Sequence, residues 1–291
     1  FSHFGSISSN GGTASGITIA GATAASNVTF GGLVSLGATT ALGGGSGLSL
    51  DNNGQSSAIA FTGGLDIITA GFDALSATGG GSLQVTGGSL SATGGSAAAI
   101  GGIATDATFS SVASSGATGD ALALAFDAGS SFTVTGTTTL SGMGGDGIDL
   151  SGSTGGSFSF GDVDITGLDA GTGLNLAGGD ATLTMSSLDV TGTGTAGSRG
   201  IDISGTQNGR TVTITNGGTI SDVATGIVLG TNGAAGAAPS ANFTFGGGSI
   251  SGSNYALDGI GVNAGDGTYA FGSTAFTGGP NFAGSLSNNY Y

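Results

Sequence analysis

The side chains able to do chemistry in this chain are few and lopsided. Of its 291 residues, 17 are acidic and every one of those is Asp; against them stand Arg199, Arg210 and no Lys, giving a net charge of -15. His3 is the one imidazole, and cysteine is absent, which removes disulfides, thiolate metal sites and a thiol nucleophile. Carboxylates work as general acid and base when their pKa values are separated and a cation positions the substrate. Two sets of polar residues recur at matching offsets and suit that description: Asp149, Asn175 and Asp202 in one, Asp164 and Asp189 in the other. The cations such a site needs are missing, since Arg199 and Arg210 fall in one stretch and His3 lies at the extreme end. We therefore assign no catalytic, cofactor-binding or metal-ligating residue and expect no enzyme. The same shortage of Lys and Arg excludes a phosphate-binding patch for nucleic acid and attraction to an anionic membrane surface. No apolar run approaches the roughly 18 residues of a membrane span, so membrane insertion is not expected.

Three patterns point to weaker chemistry. GGDGIDL at 144–150 resembles the opening of the calcium-binding nonapeptide of repeat toxins, but Ser151 takes the position of its large apolar residue and no tandem copy follows. Asp164 and Asp189 would lie on neighbouring turns of a repeat, close enough to repel unless a cation such as calcium or solvent intervenes. Thr-x-Thr runs at 133–135, 182–184 and 211–215 would present ranks of hydroxyls similar to those of ice-binding solenoids, in columns interrupted by Ala60, Gln84 and Ala270. Thr is also an ordinary exposed strand residue, and the sequons Asn27-Val28-Thr29 and Asn242-Phe243-Thr244 consist of such residues too.

The elements that must position these groups are legible from a repeat. A phrase opening on glycine or alanine recurs at an interval of about 26 residues, the mark of a solenoid. It reads GITI at 16–19, GLSL at 47–50, GFDAL at 71–75, ALAL at 121–124, GIDL at 147–150, GLNL at 173–176, GIDI at 200–203, GIVL at 226–229 and GIGV at 259–262, with a weaker copy, AAAI, at 97–100. A second alternating stretch follows in each cycle, NVTF at 27–30, AIAF at 58–61 and SFSF at 157–160 among them, and after a corner a third, such as LDII at 65–68 and DVDI at 162–165. Alternation of period two turns Ile148, Leu150, Phe158, Phe160, Val163 and Ile165 inward and Asp149, Ser159 and Asp164 outward. Stacked coils then align Phe30, Phe61, Val85, Val134, Phe160, Met185, Ile214, Phe245 and Phe271 in one apolar column. The 66 glycines with only 2 prolines serve corners, not a collagen triplet or a loose linker. The expected fold is all-β: a single right-handed parallel β-helix over 1–291, three short strands per coil and about ten coils.

The repeat, GGLDIITAGFDALSATGGGSLQVTGG at 63–88 above all, resembles the large right-handed parallel β-helix proteins of bacterial surfaces, including autotransporter passengers and β-strand-repeat surface proteins. That resemblance implies an extracellular or cell-surface location and a role as adhesin, fibre or carbohydrate-active enzyme. Enzymes of this architecture gather several Asp with Arg, Lys or His in a groove, which this composition does not favour.

The two ends carry the functional expectation. FSHFGSIS at 1–8 aligns with NFTFGGGSIS at 242–251, making 1–15 an incomplete first coil that enters at its second strand; the terminal segment 278–291 falls where the next first strand belongs. A start at Phe1 reads as a processed chain or an excised fragment. No capping helix is visible, and uncapped solenoid ends stack head to tail. We expect Phe1, Phe4, Phe282, Tyr290 and Tyr291 to meet at such a junction, with the chain itself as principal partner and surface polysaccharide as a second. The resulting expectation is a non-enzymatic building block of a bacterial surface fibre or matrix, with a stalk or passenger segment of a large adhesin as the alternative and a polysaccharide-active enzyme or ice-binding protein behind both. The glycine-rich stretch 230–241 reads as a lateral insertion.

Overall fold

A computed structural model describes residues 1–13, 16–22, 25–178, 180–205, 208–229, 240–259 and 267–281. Among them there is no helix, and strands of successive coils pair in parallel to form a β-solenoid. The first strands of the coils make an 11-stranded sheet that runs from Ile17–Ala20 to Pro280–Asn281. Second and third strands belong to an 18-stranded sheet, because in several coils the backbone continues through the corner as one strand, as in Ser157–Leu168, Thr182–Gly192 and Ser240–Ser251. Coil length varies: hydrogen-bonded partners on adjacent coils lie 23 residues apart at Asp73 and Ser96, 26 at Asp120 and Asp146, and 31 at Ala22 and Asn53.

Alternation places the core where period-two reading puts it. Ile148, Leu150, Phe158, Phe160, Val163 and Ile165 are all buried, while Asp164 is exposed and Asp149 and Ser159 are half-buried. The glycine that opens the repeating phrase is fixed by crowding: a Cβ on Gly147 would stand 2.6 Å from the carbonyl oxygen of Gly173 and 2.8 Å from Ile165 Cδ1, and one on Gly173 would stand 2.7 Å from Gly200 O and 2.8 Å from Val190 Cγ1. Here the chain runs so close to both the next coil and the third-strand side chains that a methyl group has no room.

Some expected placements shift. The first strand expected in GFDAL begins only at Leu75 and runs to Thr78, leaving Phe72 in the corner, 41% exposed, with its carbonyl accepting a bond from Thr69 Oγ1 at 2.7 Å. The strand expected at GIGV is Tyr255–Asp258, paired through Leu257 with Ile227; residues 260–262 lie outside the described residues. Ala98–Gly101 is a regular rung despite its weak sequence signal. Three third strands that alternation did not single out are Gly88–Thr93, Ser111–Ser115 and Gly218–Ser221.

The apolar column also divides in two. Ala104–Phe109 has three inward positions, Thr105, Ala107 and Phe109; the preceding coil pairs Val85 with Ala107, and the following coil pairs Ala107 with Phe132 and Phe109 with Val134. Val85 therefore stacks toward Phe132, not Val134. One column runs Phe30, Phe61, Val85, Ala107, Phe132, Phe158, Leu183, Val212, Phe243; the other starts at Phe109 and continues through Val134, Phe160, Met185, Ile214, Phe245 and Phe271. Phe30 and Phe61 stack with ring centroids 4.7 Å apart, Phe126 and Phe158 at 5.0 Å, offset contacts that add to simple burial.

Candidate functional site

The set Asp149, Asn175 and Asp202 is in register on successive first strands, as the offsets predict. One oxygen of each is already engaged by the chain's own backbone. Each accepts the backbone N–H two residues on, from Ser151 to Asp149 Oδ1 at 2.9 Å, from Ala177 to Asn175 Oδ1 at 3.1 Å and from Ser204 to Asp202 Oδ1 at 2.9 Å. This is the local Asx bond that lets a short polar side chain end a strand. Asp202 departs from the expected outward pose, being 2% exposed, because Arg199 forms an ion pair with its Oδ2 and covers it.

Other carboxylates join one coil to the next. Ser96 N–H donates to Asp73 at 2.8 Å, Asp146 N–H to Asp120 at 2.7 Å, and Thr172 N–H to Asp146 Oδ1 at 2.6 Å. On the flanks, hydroxyls donate in the same direction: Ser89 to Asp66 at 2.9 Å, Ser131 to Asp106 at 2.8 Å, Ser187 to Asp162 at 2.8 Å and Thr154 to Asp127 at 2.6 Å. Sequence reading missed this ladder. Its signal is an Asp in one coil with Ser or Thr at the same rung position of the next, visible only once the coil lengths are known.

That ladder accounts for GGDGIDL. Both oxygens of Asp146 are engaged, the second by Asn175 Nδ2 at 2.7 Å. Burial, together with the nearby charges of Asp120 and Asp149, raises the Asp146 pKa above its ordinary value, although its hydrogen bonds pull the other way. Asp164 and Asp189 do face each other across adjacent coils, both exposed, and Asp189 accepts Thr219 N–H at 2.7 Å. No three His, Cys or Asp side chains among the described residues come together as a metal site would require.

The hydroxyl ranks are more regular than the sequence suggested. The shift at Ala104–Phe109 moves Gln84 out of the column and brings in Thr86, so that Thr86, Thr108, Thr133, Ser159, Thr184, Thr213 and Thr244 follow one another without interruption until Ala270. They are half-buried to exposed.

Arg199 also lines a groove of about 210 Å³ with Thr225, Asn254, Tyr255 and Asp258. Arg210 is inaccessible, at 0% exposure. His3 stacks beneath the exposed ring of Phe1 at the edge of the first coil. The chain thus does not bring a cation and two free carboxylates together at any of the positions weighed from sequence.

Of the expected junction residues, Phe1 and Phe4 are 74% and 78% exposed; Phe282, Tyr290 and Tyr291 lie outside the described residues, as do 230–239 of the glycine-rich stretch. The first-coil alignment shifts by one: His3, not Phe4, pairs with Phe30, which turns Phe4 away from the core and over Gly31. Pro280–Asn281 does take the next first-strand position, Pro280 opposite Leu257. Protein-family models, curated proteins and solved structures yield no match to the chain. Its class rests on the fold alone, a parallel β-solenoid.

Proposed function

We propose that this protein is a non-enzymatic structural element of the bacterial cell exterior, a β-solenoid rod that assembles end to end into a surface fibre or matrix. The observation that carries the reading is the continuous parallel stacking of coils, in which backbone pairing and carboxylate hydrogen bonds join each coil to the next. Ser2–His3, Ile7–Ser9 and Ile17–Ala20 pair in register with the coil that follows them. Ile7, Ile17 and Ile19 there are only partly buried, whereas Val34, Leu48 and Leu50, their register partners one coil further in, are 0%, 0% and 1% exposed. A coil in this fold is thus buried by its neighbours, and the same strand pairing can join one copy of the chain to another. Head-to-tail contact between unlike ends propagates without closing.

The composition supports the same reading. Carboxylates committed to joining coils, one cation ion-paired and the other buried suit a rod better than a catalyst. Replacing Phe1 and Phe4 together with Asp places charge on the first coil while leaving the buried columns intact. Sedimentation velocity should then show the variant as single rods where the parent chain forms longer species. Equal assembly of the two would remove these residues from the junction.

A further inference from the structure

Arg210 is the largest fully buried side chain among the described residues, and its guanidinium is only partly satisfied. Nη1 donates to the carbonyl oxygen of Leu176 at 2.6 Å, while Nε and Nη2 have no hydrogen-bond partner among the described residues. Those two nitrogens share one edge of the planar group, the edge whose parallel N–H bonds fit two oxygens of a carboxylate, phosphate or sulfate. A solvent-exposed guanidinium would meet water there; a buried one leaves the donors unsatisfied, which is costly unless an acceptor is supplied.

The described residues around it do not supply one. Counting back from the Leu183–Val212 pair, the rung position opposite Arg210 is Ala181, which is 1% exposed, and the coil before it carries Gly156 at the same position, so the rungs leading to Arg210 hold small residues. The charged group that acts on Arg210 is Asp180, whose own side chain is exposed and makes no contact with the free edge. Burial lowers the Arg210 pKa to about 10, so the group is still a cation at neutral pH.

We propose that the free edge of Arg210 holds one small inorganic oxyanion, of the phosphate or sulfate class, inside the solenoid. Such an anion would neutralise the buried cation and couple the coil of Leu176 to that of Arg210, so that the bound form resists unfolding more than the free form.

The test uses the full chain. Protein purified from phosphate-containing medium is exchanged into chloride buffer, denatured, and its released ions measured by ion chromatography; one equivalent of phosphate or sulfate per chain is expected. In parallel, the melting temperature is followed as phosphate is added at constant ionic strength. It should rise and saturate for the parent chain, and be flat for Arg210→Met, which fills the space without a charge, and for Arg210→Lys, which lacks the fork. A rise of equal size in Arg210→Met would mean an adventitious ion only and would overturn the site. No released oxyanion together with a melting temperature indifferent to phosphate would also overturn it. So would loss of stability in Asp180→Asn with no phosphate response in the parent, which would assign the acceptor to Asp180 instead. If the Arg210 variants fail to fold, the ion content of the parent chain decides alone.

Discussion

Thr138 shows how strictly each position in this solenoid answers to its neighbours above and below. It is fully buried between Val112 and Val163 in register, and its Oγ1 has no hydrogen-bond partner. Valine has nearly the same shape, so Thr138→Val completes an apolar column and removes an orphaned hydroxyl. Such a change should stabilise by about 1 kcal/mol, measurable as a higher melting midpoint; a lower midpoint would mean that the hydroxyl is satisfied. Two aspartates make an opposite pair. The Asp146 pKa is raised, chiefly by burial, so the folded chain holds that proton more tightly than the unfolded one, and stability from this group is gained as pH falls through its raised value toward 3.8. The Asp169 pKa is lowered by hydroxyl donation from Thr195 and Thr193, so its contribution is present above 3.8 and is lost as pH falls through its lowered value. Carboxyl carbon NMR titration should place the Asp146 midpoint above 3.8 and that of Asp169 below it; the reverse order would contradict the hydrogen-bond assignments.

At the scale of strand and corner, the packing is dominated by close approach of backbone to backbone. Gly173→Val would press its branched side chain against Gly200 O and the Val190 methyls, neither of which can withdraw without moving a coil. Overpacking of this kind costs about 1–3 kcal/mol or more. The loss should be local, because in a solenoid each coil contacts only its neighbours: amide exchange should accelerate around 147–203 and stay unchanged near Leu48 and Leu75. Uniform acceleration along the chain would contradict nearest-neighbour coupling. These same close approaches explain why the fold was so legible. Glycine before a period-two apolar pair is enforced by geometry at Gly147, Gly173 and Gly200, so the phrase survives in the sequence. Where alanine fits instead, as at Ala74 and Ala97, the phrase blurs, and GFDAL misled because its glycine and Phe72 belong to the corner. The register shift was invisible for a different reason: Thr105, Ala107 and Phe109 all satisfy the alternation, and only pairing decides which two face each neighbour. Site residues were legible as positions but not as roles. Asp149, Asn175 and Asp202 do align, yet their use as Asx caps, and the hydroxyl partners of Asp66, Asp106 and Asp162, depend on coil lengths that vary from 22 residues at Leu90–Val112 to 31 at Asn27–Ala58.

For the whole molecule, charge and apolar surface occupy different places. Apart from the buried Asp202 and Asp258, the acidic side chains of the described residues are half-buried or exposed, and the bonds described for them come from hydroxyls and amides, not from a cation, so neighbouring rods repel sideways at neutral pH. The large apolar side chains lie in the buried columns inside the coils. Under the proposed end-to-end assembly, lateral repulsion favours thin fibres over bundles, and bringing the pH to the isoelectric point near 4.1 should thicken them. Ten coils at the spacing of paired strands span about 48 Å. The measurement that tests the account most directly is negative-stain electron microscopy of the 291-residue chain at neutral pH. End-to-end assembly predicts long, unbranched fibres one solenoid wide with an axial repeat of about 48 Å. Discrete rods of that length at every concentration examined would contradict it.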